Sequence, residues 1–300
     1  MMRQSPPSLR PFLNRVYRKY HRRAYLYSDP LEFSHQYADK ADQEIVAFLS
    51  ACLAYGSVQV IRKTLLQIFG TMNGHPYEFV YNFSPPRHSQ LFDGLRHRFN
   101  TGHDIACLIF LLHQVLRESG SIKQFFLTCY QPNDATILPS LERFANNLWQ
   151  LDASPYFPGV RGVPKRAAVR FLFPSPANGS ACKRPLLFLR WVVRPQDQVD
   201  LGLWPEIPPD RLIVPLDTHL TRISKRLGLT TRNDASMKTA LEVTQALKRF
   251  DHKDPVKYDF ALCRLGILKF CPARRNTPVC QRCALYAVCA ENDRKKHNLK

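Results

Sequence analysis

The sequence predicts an all-α fold. Apolar residues recur at three- and four-residue intervals through most of the chain, no two strand-like runs are joined by a hairpin turn, and glycines stand where the periodic runs stop. Leu9, Phe12, Leu13, Val16, Tyr17 and Tyr20 form one face of a first helix whose opposite face is basic. Ile45, Phe48, Leu49, Cys52 and Leu53 form a second, and Val58, Ile61, Leu65, Ile68 and Phe69 a third, with Gly56 between them. Ile105, Leu108, Ile109, Leu112 and Val115 follow Gly102. Ile223 and Leu227 precede Gly228, and Leu241, Val243 and Leu247 close the series. About a dozen helices are expected on this spacing.

Two stretches break the pattern, residues 152–180 and 195–215, both rich in proline and glycine. Proline denies a helix its hydrogen bonds, and loops of this length are where function concentrates. Trp204, in the second, is a candidate stacking residue at the rim of a pocket.

Composition narrows the function. The chain has 300 residues, 45% hydrophobic and 22% charged, which suits one large globular domain or two small ones. Its 43 Lys and Arg against 24 Asp and Glu leave a net charge of +19, which points to a polyanion, most often nucleic acid. The longest apolar stretches, Ile105 to Leu112 and Ile45 to Tyr55, fall short of the roughly 18 residues that a membrane span needs. The basic N-terminus lacks the continuous apolar core of a secretion signal, with an organellar transit peptide as the alternative reading. Nine cysteines, an odd number, then suggest a reducing compartment such as the cytoplasm.

Four of those thiols crowd into FCPARRNTPVCQRCALYAVC. Cys271, Cys280, Cys283 and Cys289 are separated by eight, two and five residues, a spacing that lets the backbone loop around one ion or cluster. Arg274, Arg275, Arg282, Arg294, Lys295 and Lys296 surround them and would offset the charge of four thiolates. Spacing alone leaves zinc and a [4Fe-4S] cluster both open.

A V-P-L-D-T-H segment, a helix, the helical stretch KYDFALCRLGILKFC and a four-cysteine loop follow in that order, which resembles the endonuclease III branch of the helix-hairpin-helix DNA glycosylases. EIVAFLSACLAYGSVQVIRKTLLQIF looks like that family's opening helix pair. GSACKRPLLFLRW resembles its hairpin and second helix, with Gly179 on the first glycine and Lys183 on the lysine. Over most of residues 30–290 the chain resembles a family of uncharacterised bacterial proteins related to endonuclease III, which carry the same ACKR, FLRW and PLDTH segments.

The resemblance implies two helical lobes, residues 41–195 and residues 1–40 with 215–300, with 196–214 as a proline-rich insertion and duplex DNA crossing the groove between the lobes. It implies a monomer and a [4Fe-4S] cluster on the four cysteines, zinc being the alternative; the first gap is longer here than is usual in the family. Lys183 would attack C1′ of a flipped damaged nucleotide, and Asp217 would stabilise the cationic sugar. A helix beginning at or just before Lys183 is expected from Pro185 and the apolar run behind it. Asp217 also reads as the N-cap of the helix that follows, and His219 as a packed or solvent-bonded histidine. Arg184, Gly179, Tyr55, Gln59, Arg274 and Arg275 are the candidate DNA contacts.

Three departures from the family stand out, one being the 34-residue separation of Lys183 and Asp217, lengthened by the proline-rich insertion. The hairpin reads N-G-S-A-C and lacks the second glycine through which backbone N–H groups approach a phosphate. The family's helix-turn glutamine has no clear counterpart, Tyr55 or Gln59 being the substitutes. FPGVRGVPKRA imitates the hairpin and offers Lys165 as a rival nucleophile. A non-catalytic nucleic-acid-binding protein on the same scaffold is the alternative function.

Overall fold

The structure, a computed structural model, describes residues 8–290; Arg294, Lys295 and Lys296 lie outside the described residues. In chain order the helices are α1 (Leu9–Tyr20), α2 (Lys40–Cys52), α3 (Val58–Gly70), α4 (Pro76–Tyr81), α5 (Pro85–His88), α6 (Gly102–Ser119) and α7 (Ile122–Leu127). Then come α8 (Leu138–Gln150), α9 (Lys183–Val193), α10 (Thr218–Arg226), α11 (Met237–Lys248), α12 (Asp259–Ile267) and α13 (Thr277–Gln281). The protein is mostly helical, as the periodicity predicts. One two-stranded hairpin, Arg96–His97 paired with Asn100–Thr101, departs from the expectation of no paired strands. Its strands are two residues long, too short for alternation to register.

Two helices fill the centre because they have no polar face to give to water. α2 buries every residue from Glu44 to Cys52, and α9 buries every residue after Lys183. The two pack together, and the 3-10 turn Pro30–Gln36 covers α2 on another side. At the other end of the chain α12 receives both α1 and α10. Tyr258 donates to Asn14 Oδ1 (2.8 Å), fixing α1 to the start of α12. Gly266 lets α10 come close, since a Cβ there would meet the His219 ring at 2.5 Å. His219 is thus the packed histidine expected, its Nδ1 also within 3.1 Å of Arg222 Nη2.

The buried helices carry charges that must be paired inside. Arg190 reaches Asp200 (3.0 Å) and Asp259, and Arg194 reaches Asp200 and Asp254 (2.9 Å). Asp200 is wholly buried, and both guanidiniums are nearly so. His21 joins through Asp197 (2.7 Å), whose carboxyl is held well below the usual range against burial by that bond and by the Val199 and Asp200 amides. Arg264 on α12 binds Asp29 (2.8 Å) and Ser28 (2.7 Å), tying the segment before α2 into the same region.

Most of the proline-rich segment 195–215 is not the pocket rim that its composition suggests, although Pro215 at its end lines a cleft. Val199, Leu201, Trp204, Ile207, Leu212, Ile213 and Val214 are all buried. Trp204 packs on Phe126 and Phe188, and its Nε1 donates to Glu44 Oε1 (2.8 Å). Glu44 meanwhile accepts from the Ile122 and Lys123 amides at the start of α7, so one buried carboxylate joins three elements. Trp204 is therefore a core anchor and cannot stack on a ligand.

No helix among the described residues is long and apolar enough to cross a membrane. Replacing Asp200 with Ala leaves two buried guanidiniums short of a partner and is expected to cost about 3–5 kcal/mol, read as a lowered urea midpoint with an unchanged slope.

Candidate functional site

α9, α10 and α12 bring their ends and faces to one cleft of about 540 Å³, whose walls include Tyr55, Phe171, Lys183, Arg184, Asp217, His219, Asp259 and Cys263. Lys183 is the first residue of α9, as the position of Pro185 predicts, and the chain reaches it through Cys182 in the left-handed region (φ 49°). Its Nζ donates to the Ala54 carbonyl (3.3 Å), just past the end of α2. Asp217 caps α10, one carboxylate oxygen accepting from the Leu220 amide at 2.7 Å. The other oxygen accepts from the Cys263 thiol at 3.4 Å, so both oxygens are held.

The sequence reading missed Cys263. It faces Asp217 from α12, one turn beyond Asp259, and feels the charges of both Asp217 and Lys183. Burial, with the neighbouring carboxylates, pushes its thiol well above the ordinary range, which keeps it a hydrogen-bond donor. Asp259 at the back of the cleft is pushed up to about 6 by burial, even though Arg190 is its partner. The only signal for these residues was their spacing in KYDFALCRLG, where Asp259 and Cys263 fall on one helical face.

Arg184 departs from the expected phosphate contact. It is 7% exposed and lies between aromatic rings, 4.8 Å from the Tyr55 centroid and 3.9 Å from that of Phe171. Desolvation lowers its guanidinium to about 10, and its buried Nη1 finds no hydrogen-bond partner among the described residues. Tyr55 lines the cleft half-buried, its hydroxyl bonded to Asn100 Oδ1 (2.6 Å) and the His97 carbonyl (3.1 Å). Gln59 is exposed on the first turn of α3 and lies outside the cleft lining, though Val58 belongs to it.

The expected hairpin is a turn from Pro174 to Cys182, with the 3-10 turn Pro176–Asn178 ending on Gly179. Gly179 is left-handed (φ 70°) and exposed, and a Cβ there would meet nothing within 4 Å. Backbone is open to approach at that point, although the second glycine is missing. Lys165 lies in a different cleft, which Asp217 does not line. Lys183 and Asp217 thus line the same cleft, and Lys165 does not.

The four loop cysteines line one small cavity of about 40 Å³, together with Ile223, Leu227, Leu265 and Phe270. Arg226 Nη1 donates to Cys271 Sγ (3.1 Å), and the Leu285 amide reaches Cys283 Sγ (3.5 Å). Burial and the other three sulfurs push the Cys283 thiol up. Among the described residues, the three potential ligands within 4.8 Å of one another are His21, Asp197 and Asp200. Arg194 already binds both of those carboxylates, so that trio belongs to the buried network. Arg275 lines the cysteine cavity, while Arg274 is exposed beside it.

If Arg184 is a wall of the cleft, Arg184→Ala should lower stability by about 2 kcal/mol by removing its desolvated cation–π stacking. The loss is read as a lowered urea midpoint with an unchanged slope.

No curated protein and no solved structure matches the chain. A family match runs over residues 29–268, which takes in the whole of α9 and α10 and stops before Cys271. With most of its length matched, the chain belongs to the family described as protein of unknown function (DUF2400).

Proposed function

We propose that this protein binds duplex DNA and acts on a flipped damaged nucleotide as a DNA glycosylase, an abasic-site lyase or both. The observation that carries this reading is that Lys183 and Asp217, on different helices, line one cleft between the starts of α9 and α10. A net charge of +19 supports a polyanionic partner.

The chemistry follows from those two side chains. The Lys183 amine, once neutral, attacks C1′ while the bond from C1′ to the base breaks and the base leaves with the electron pair, taking up a proton. Loss of one proton from the nitrogen lets its lone pair form the iminium as the C1′–O4′ bond breaks and the ring oxygen takes up a proton. Removal of a C2′ proton then expels the 3′ phosphate by β-elimination. Asp217 sits where positive charge builds on the sugar, oriented by the Leu220 amide and the Cys263 thiol, and is the group positioned to relay protons. Cys263 orients Asp217 and does not touch the reacting atoms in this scheme.

One observation favours the alternative of a non-catalytic binder. Lys183 Nζ already donates to the Ala54 carbonyl, a structural contact that accounts for its place in the cleft without attack on carbon. The two readings part on trapping. With borohydride and a duplex carrying an abasic site or an oxidised pyrimidine, the catalytic reading expects a covalent adduct that Lys183→Ala abolishes and Lys165→Ala retains. Absence of an adduct from the parent protein on every substrate would favour the binder.

For the cysteine loop we propose a structural [4Fe-4S] cluster held by Cys271, Cys280, Cys283 and Cys289. A single tetrahedral zinc with bonds near 2.3 Å draws its sulfurs to about 3.8 Å of each other. A cubane places each thiolate on its own iron and keeps the sulfurs farther apart, and the four thiols here line one small cavity. The N–H donors to Cys271 and Cys283 are the contacts that stabilise thiolate charge in such sites. We further propose that the protein works as a monomer in the reducing cytoplasm. Purified anaerobically, it should be brown, with a broad absorption near about 400 nm and bound iron that Cys283→Ala removes; colourless protein with stoichiometric zinc would contradict the cluster.

A further inference from the structure

A second cleft is larger than the one that holds Lys183. It measures about 870 Å³ and is walled by the end of α8 and by the loop that follows, including Asn146, Asn147, Gln150, Arg161, Lys165 and Asn178. This loop contains the FPGVRGVPKRA stretch that imitates a hairpin but supplies no nucleophile to Asp217. Its conformation is fixed. Val163 donates to the Trp149 carbonyl (2.9 Å), and Gly162 (φ 70°) lies so close that a Cβ would meet that same carbonyl at 2.7 Å. Arg170 braces the inside, donating to the carbonyls of Val163 and Pro164 (2.9 Å) while lying over the Trp149 ring.

That bracing uses one cation and leaves others outward. Arg161 and Lys165 are exposed in the cleft and form no ion pair among the described residues, and Arg166 is exposed beside them. Glu118 is the acidic residue of the lining. Side-chain amides from Asn146, Asn147, Gln150 and Asn178 supply neutral donors and acceptors between the charges, the mixture that sugar, phosphate and base edges call for.

The position of the cleft identifies its ligand. The turn from Pro174 to Cys182 is the wall between the two clefts: Asn178 lines the larger, while Pro174, Ser180, Ala181 and Cys182 line the one with Lys183. Gly179 stands at the crest with open backbone. A strand that placed a nucleotide in the Lys183 cleft and crossed this turn would enter the Arg161 and Lys165 cleft. We propose that the second cleft binds the sugar-phosphate backbone of the nucleic-acid strand that flanks the nucleotide in the first. This rests on the nucleic-acid partner proposed above but not on catalysis.

Equilibrium binding of an unmodified DNA duplex, measured across a salt series, tests it without any chemical step. Arg161→Ala/Lys165→Ala should lower the slope of log affinity against log salt by about two, one for each phosphate that is no longer neutralised. The loss of affinity between 50 and 200 mM salt then becomes about tenfold smaller. The control pair Lys40→Ala/Lys238→Ala removes two exposed charges outside both clefts and should change the slope far less. Arg161→Lys/Lys165→Arg should keep the parent slope. Equal slopes for the cleft and control pairs would overturn the proposal, and so would binding of an acidic peptide by the cleft with DNA affinity unaffected. Absence of a borohydride adduct would speak against the catalytic reading and leave this one standing.

Discussion

Two buried arginines, in the last turn of an apolar helix and just past its end, set the terms for the rest of the structure. A guanidinium taken out of water costs several kcal/mol unless it is matched by carboxylates and hydrogen bonds. Arg190 of α9 and Arg194 just after it are matched by Asp200, Asp254 and Asp259, which come from the proline-rich segment, the loop before α12 and α12 itself. Satisfying those two charges therefore dictates where three parts of the chain must sit. Because α9 begins at Lys183, the same pairing also fixes how its first turn faces α10 and α12.

The cleft is a consequence of that arrangement. α12 is held by Arg190 through Asp259 and by Asp29 through Arg264, and α10 is drawn against it at Gly266. Asp217 then has its two oxygens fixed by elements that the network has already located. The Arg184 guanidinium closes one wall by stacking between Tyr55 and Phe171. Charge is thus used in two ways on α9: inward, as matched pairs that orient helices, and at its N-terminal edge, as an amine facing a cavity.

Much of this was legible in the sequence, for a physical reason. α1, α2, α3, α6 and α9 have apolar faces whose period is that of the helix, and the start of α9 was marked by Pro185, which needs no amide donor in a first turn. Asp217 stood before a periodic run and caps it. The proline-rich segment misled because burial in a loop has no period to read; Val199, Trp204 and Val214 turn inward through contacts with distant helices. Arg184 misled for the same reason, since the rings that enclose it are far away in the chain or across the 174–182 turn. FLRWVVR followed by DQVD did carry a signal, two arginines in an apolar run next to acids, that points to pairing inside rather than to a basic surface.

The central claim is that Lys183 is the amine that meets the substrate, with Asp217 beside it. Peptide mapping of the adduct formed on an abasic-site duplex under borohydride measures this most directly, by locating the modified residue through mass spectrometry of the digested complex. The nucleotide remnant is expected on the peptide that contains Lys183. A remnant on Lys165, or on any other lysine or the terminal amine, would contradict the assignment.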